Sequence, residues 1–235
     1  MDILLNALFD TLYTALYFGI VGIIALLVKY VFKVHGEWYR KILHLCFMGS
    51  IFCFLYLFDY WYTSAIMLII FLIIALVGLT ILERFPFYAE LLAERSKGEV
   101  KRSITIAFSV YLVSISVVWG IWGDTHKYIV LAAVLAWGIG DALAALVGQN
   151  KNNLVINTNI IKSRKTVQGT IAMFVGSTIA IFLVVARYKP LFYSILISLF
   201  AGLVATIAEV YTKEGWDTAS VPPIVLISLL LGTFM

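Results

Sequence analysis

Basic side chains able to grip phosphate, and carboxylates able to hold a hard cation, recur in four short stretches of this sequence, each at the edge of an apolar run. The first is Arg40-Lys41-Ile42-Leu43-His44. On a helix Arg40 and His44 are i,i+4 neighbours and Lys41 stands beside His44 at i,i+3, so three donors share one face that suits phosphate oxygens. The same residues also suit plain anchoring at a membrane edge, with His44 hydrogen-bonding between helices. The second stretch, Glu94 to Ser103, alternates in charge around Gly98-Glu99. It reads either as a solvated loop, with Ser103 capping the next helix, or as a nucleotide or headgroup contact.

The third stretch, Trp137 to Gly148, is the densest. Gly138, Ala142 and Ala145 repeat at helical spacing, as do Gly140 and Ala144, so a neighbouring backbone can approach closely. Asp141 stands within this small-residue surface. An ionised group at membrane depth costs at least ~2.5–3.5 kcal/mol on insertion scales, so Asp141 needs a cationic partner or a metal. The same holds for His44 and Glu209. Cations follow in Lys162-Ser163-Arg164-Lys165-Thr166-Val167-Gln168-Gly169-Thr170. Side-chain charge, unpaired N–H groups and the helix dipole all favour an anion at such a helix start. The Gly-rich spacing of a Walker motif is missing. Close helix packing plus a basic loop would account for everything here except Asp141.

The fourth stretch runs from Glu209 to Pro223 and adds Asp217. With Asp141, the carboxylates of Glu209 and Asp217 could hold Mg²⁺, which prefers oxygen ligands and often binds through one or two carboxylates plus substrate phosphates. Asp217 and Ser220 would equally serve to cap the last helix.

What must position these groups is a membrane domain. The chain has 235 residues, 63% of them hydrophobic, and a mean hydropathy of +1.01. Globular domains run at about 45–50% apolar, so this excess must face lipid. About 20 helical residues cross the hydrocarbon layer. The apolar runs predict an all-α polytopic bundle of about eight spans, near Leu12–Phe32, Arg40–Phe58, Tyr62–Leu82, Ser103–Trp119, Tyr128–Gly148, Gln168–Ala186, Leu191–Tyr211 and Val221–Phe234. Pro222 and Pro223 suit the first turn of the last. No linker or low-complexity tract divides the chain, so residues 1–235 read as one integral membrane domain. Asp2 and Asp10 replace the basic start of a cleavable signal, so the first run is expected to stay as a span. Cys46 and Cys53 sit in one apolar run and read as small core residues.

Charge then predicts sidedness. With eight spans, 14 of the 17 Lys and Arg residues fall on one face, and only Lys127, Arg187 and Lys189 on the other. The positive-inside rule puts the rich face in the cytoplasm and both termini outside. All four polar stretches share that face. The net charge of +4 is thereby explained by topology, without a nucleic-acid partner.

Phosphate grips, carboxylates for Mg²⁺ and an apolar surround point to phosphoryl or nucleotidyl transfer onto a lipid, chemistry that rests mostly on positioning and charge neutralisation. Asp141 or His44 would take the proton of a lipid hydroxyl. The chain resembles the polyprenol kinase family, which includes dolichol kinase, phytol kinase and the CTP-dependent diacylglycerol kinases. The resemblance covers about Arg40 to Pro222. It rests on Arg40-Lys41 with His44, Gly98-Glu99, Gly140-Asp141 with Ala144, Ala145 and Gly148, Lys162-Ser163, Lys165-Thr166 with Gly169-Thr170, Glu209, and the Asp217 to Pro222 ending.

The resemblance implies a CTP-dependent kinase that phosphorylates the hydroxyl of a membrane lipid alcohol (polyprenol, phytol-like or diacylglycerol) with Mg²⁺. Asp141, Lys41 and His44 would be catalytic. Arg40, Lys162, Ser163, Lys165, Thr166, Gly169, Gly140 and Glu99 would bind nucleotide or phosphate, and Asp141, Glu209 and Asp217 the metal. Two positions depart from the family pattern: Gln149 stands where a basic residue is usual, and Thr218 where Asn usually follows the Asp. The alternatives are cytidylyl transfer to phosphatidate, whose acidic Gly-rich signature is absent, and a non-enzymatic transporter, for which an internal repeat would be expected.

Overall fold

The computed structural model describes residues 2–156, 165–213 and 215–233. Among these the chain is helical, and the one extended pairing is an isolated antiparallel bridge between Val155 and Thr166. Contacts divide it into two compact units, Met1–Gly123 and Asp124–Met235.

The first unit begins with α1 (Asp2–Leu26), which runs on through a π-helical turn at Leu27–Val31. Then come α2 (Gly36–Met48), α3 (Ser50–Tyr56), α4 (Trp61–Leu82), the single turn α5 (Tyr88–Leu91) and α6 (Glu99–Ser114). A second π turn at Ile115–Trp119 and α7 (Gly120–Trp122) extend α6. Gly98 and Gly123 bracket that long helix at φ +78° and +84°, values that favour glycine. The core is aromatic. Phe54, fully buried, meets Phe71, Phe108 and Phe58 with ring centroids 6.1, 5.9 and 6.4 Å away.

The run predicted as one span over Arg40–Phe58 is a pair of helices, α2 and α3, meeting at Gly49. The Tyr17 hydroxyl donates to the Cys46 carbonyl, the group a continuous helix would offer to Ser50. Beyond the break, Phe52 N–H donates to Gly49 O in a tighter i→i+3 bond of 3.1 Å. A side chain that inserts into the hydrogen-bond ladder breaks a helix in this way, and glycine is the residue that costs least to leave there.

The second unit holds α8 (Lys127–Gly148), α9 (Val167–Val185), α10 (Leu191–Tyr211) and α11 (Asp217–Thr233), packed in sequence, with α11 returning to α8. Small residues set this packing. A Cβ on Gly176 would lie 2.7 Å from Leu143 Cδ1 and 3.3 Å from Gly140 Cα. One on Gly169 would lie 2.9 Å from Ala144 O. Gly140, Ala144 and Gly148 therefore let α9 lie directly against α8, as their helical spacing predicts. Pro222 and Pro223 fall in the second turn of α11 rather than the first. The helix starts earlier than its apolar run because Asp217 at its N-terminus suits the dipole and Trp216 O accepts from Ala219 and Ser220.

Six helices are long and apolar enough to cross a membrane: Leu8–Val31, Trp61–Leu82, Glu99–Trp122, Asp124–Gly148, Val167–Val185 and Leu191–Tyr211. The other two predicted spans correspond to the α2–α3 pair and to α11, which has 17 residues. Large apolar side chains such as Leu16 and Ile23 on α1, and Ile73 and Val77 on α4, point outward. Water does not tolerate such continuous apolar faces, whereas lipid does. The chain is an integral membrane protein.

Candidate functional site

The second unit gathers the acidic residues singled out by the sequence at one end of its four helices. α9 begins where Thr166 Oγ1 accepts from Gly169 N–H at 3.1 Å, an N-cap with its side chain buried. The segment before it is pinned by Ile156 N–H to Lys165 O and Val167 N–H to Leu154 O, both 2.9 Å. That bridge holds Lys165 against the last turn of α10, where its ammonium pairs with Glu209. Glu209 is 5% exposed, so the pair is nearly desolvated. Removing one partner of such a pair leaves a buried charge and costs about 3–5 kcal/mol.

Asp217 is held from the other side. Trp137, 1% exposed, donates its indole N–H to Asp217 Oδ2 at 3.0 Å. The turn that delivers Asp217 is closed by the Thr212 and Ser220 hydroxyls, 2.7 Å apart, and passes through Gly215 at φ +80°. Asp141 lies on α8 one turn beyond Trp137 and is half-buried. Both Asp141 and Asp217 act electrostatically on Glu209. Three carboxylates and one lysine thus share a small region where α8 and α10 end and α9 and α11 begin.

The three carboxylates do not form a closed metal cage. Among the described residues, no group of three or more His, Cys, Asp or Glu side chains could hold a metal ion. Glu209 is taken by Lys165 and Asp217 by Trp137. An all-oxygen donor set of this kind suits Mg²⁺ through one or two carboxylates with phosphates completing the shell.

The expected phosphate-binding residues divide differently. Gly140 and Gly169 stand in the α8–α9 contact, and the Thr166 oxygen caps α9, so each has a packing role whatever else it does. Lys162 and Ser163 lie outside the described residues.

In the first unit Arg40 is committed to Glu37 one turn earlier, with Nε donating to Oε2 at 3.1 Å and a second bond from Nη2 to Oε1. Burial alone would raise the Glu37 pKa, but the Arg40 hydrogen bond and charge outweigh it, with help from Lys41 and Arg95, and hold the carboxyl below its usual range. Lys41 is 3% exposed and His44 half-buried on the same helix. Glu99 folds back onto its own loop. It accepts from Arg95 N–H at 2.9 Å and Ser96 N–H at 3.3 Å and pairs with the Arg95 guanidinium. That reach-back satisfies N–H groups ahead of α6 and gives Glu99 a structural task.

Sequence reading gave no role to Glu37, Trp137 or Lys29. The first two were visible as i,i+3 and i,i+4 partners of Arg40 and Asp141. Lys29 is a single cation inside an apolar run. It is 5% exposed, pairs with Glu90 at 3.2 Å and lies 5.5 Å from the Tyr39 ring centre. No family model, curated protein or solved structure matches the chain.

Proposed function

We propose that this protein is a CTP-dependent lipid-alcohol kinase whose chemistry is carried by the second unit, at the ends of its helices that face the cytoplasm. The observation that supports this reading most is the buried Lys165–Glu209 pair set beside the Asp141 and Asp217 carboxylates. Buried charge in a membrane domain is expensive, and charge beyond what packing needs marks a functional site. In this reading the γ-phosphoryl of CTP passes to the lipid hydroxyl oxygen. The bond from the γ-phosphorus to the β–γ bridging oxygen breaks, CDP leaves, and Asp141 or His44 takes the hydroxyl proton. Mg²⁺ enters with the nucleotide, supplies charge neutralisation and is held by one or two of Asp141, Glu209 and Asp217. Lys165, with Lys162 and Ser163, would face the phosphates, and Arg40 and Lys41 are assigned to phosphate by resemblance alone. The 14-to-3 distribution of basic residues supports cytoplasmic sidedness, where soluble nucleotides are found.

The test incubates purified protein with γ-labelled CTP or ATP and a panel of polyprenol, phytol-like and diacylglycerol acceptors. The expected result is labelled lipid phosphate with CDP released, and loss of at least about a hundredfold in Asp141→Asn at unchanged thermal stability. Pyrophosphate as product would assign cytidylyl transfer instead. Undiminished labelling by Asp141→Asn would end the catalytic assignment of this site.

A further inference from the structure

The polar stretch between α4 and α6 is not used by the reaction proposed above, yet it folds around a pocket. Residues 83–97 enclose an open-sided space of about 430 Å³. Its wall carries Glu83, Tyr88, Glu94, Ser96 and Lys97, with Phe85 on the apolar side. Tyr88 is 3% exposed, and its buried hydroxyl has no hydrogen-bond partner. A buried hydroxyl left in that condition is uncommon and calls for an occupant. Burial, then the Glu94 and Glu83 carboxylates, raise the Tyr88 pKa, so the group stays protonated and acts as a donor.

The wall carries both signs. Tyr88, Ser96 and Lys97 bring hydroxyl and ammonium donors, which suit acceptor oxygens. Glu83 is paired with Lys101. Glu94 accepts one long bond, from Val100 N–H at 3.5 Å, and so keeps most of its acceptor capacity. The height of the pocket limits the ligand further. α4 ends at Leu82 and α6 begins at Glu99, and both belong to helices able to cross a membrane. A loop joining two such helices lies at headgroup level, and Phe85 and Phe87, 48% and 45% exposed, are placed to enter the interface.

A ligand at that level must offer phosphate oxygens to one side and hydrogen-bond donors to Glu94 on the other. A primary ammonium donates to a carboxylate, whereas a quaternary ammonium has no N–H to give. Quaternary groups are recognised by aromatic cages, and here the polar wall holds a single tyrosine. We propose that the pocket between α4 and α6 binds the phosphoethanolamine headgroup of a bilayer lipid, its phosphate on Tyr88, Ser96 and Lys97 and its primary ammonium on Glu94.

The full-length protein in detergent, titrated with phosphatidylethanolamine, phosphatidylcholine or phosphatidylglycerol and read by native mass spectrometry, tests this. The ethanolamine lipid is expected to bind about tenfold more tightly than either other lipid, the worth of one charge-assisted hydrogen bond. Glu94→Gln should erase its advantage over the glycerol lipid. Tyr88→Phe, which removes only the hydroxyl, should weaken the ethanolamine lipid several-fold at unchanged thermal midpoint. Soluble phosphoethanolamine should compete, which separates headgroup recognition from tail binding. Equal affinity for the three lipids, a preference that survives both substitutions, or no competition by the soluble headgroup would each overturn the assignment. Loss of kinase activity is not a readout here, so this proposal and the catalytic one fail separately.

Discussion

The two units solve the same problem, helix packing in lipid, with opposite materials. The first unit fills the space between its helices with rings: Phe18, Phe47, Phe54, Phe71, Phe108 and Tyr111 form a chain of contacts. The second removes side chains, bringing backbones together at Gly140, Gly148, Gly169 and Gly176. Lipid tails are as apolar as Leu, so helix association in a bilayer depends on contact quality rather than on escape from water. Large interlocking rings and absent side chains are both ways of obtaining that contact. They fail in opposite directions.

The polar groups divide along the same line. In the first unit, ion pairs such as Arg40–Glu37 and Arg95–Glu99 tie loops and helix starts at the edge of the apolar region. In the second, Lys165–Glu209 and Trp137–Asp217 lie between helices. Close backbones leave little room for water, so a carboxylate there must find its partner inside the protein. This contrast places the proposed chemistry in the second unit.

The largest expected effect that would break the comparison is truncation in the first unit. Phe54→Ala should cost about 3–5 kcal/mol, read as a fall in thermal midpoint in detergent, because three ring contacts disappear around a fully buried site. A loss under about 1 kcal/mol would mean that the aromatic chain is not what holds this unit together.

Enlargement in the second unit is next. Gly169→Ala should cost about 1–3 kcal/mol, since its Cβ would press on the Ala144 carbonyl, backbone that cannot swing aside. Gly78→Ala on α4, where nothing lies within 4 Å of the added atom, should be neutral or stabilising by up to about 1 kcal/mol. If both glycine substitutions behave alike, close backbone packing does not distinguish the units.

The smallest effect sharpens the electrostatic half. Because the folded Glu37 pKa is depressed, its contribution is present above the unfolded carboxyl value and is lost as pH falls through the folded one. Wild type should lose stability on acidification, and Glu37→Gln should lose less, the difference staying below about 1 kcal/mol for a pair this exposed. Parallel melting curves of the two proteins between about pH 6 and pH 3 would contradict the ion pair's role.

Much of the fold was legible because lipid imposes a length and a composition on any helix that crosses it. The runs at Tyr128–Gly148 and Leu191–Tyr211 coincide with α8 and α10 to within a residue. The run over Arg40–Phe58 was misjudged as unbroken, since nothing local announces that the Tyr17 hydroxyl, far away in sequence, claims the Cys46 carbonyl. For the site, the small-residue spacing around Asp141 foretold the α8–α9 contact. The match of Arg40 with Glu37 was also open to reading, at helical spacing.

The sequence by itself determined an all-helical membrane chain, its apolar runs and which charges needed partners, because cost in lipid depends on residue type alone. Only the tertiary structure decided who the partners are. Lys165 finds Glu209 and Trp137 finds Asp217 across 44 and 80 residues of chain. Such pairings follow from how helices pack, and packing is a property of surfaces that no single segment carries.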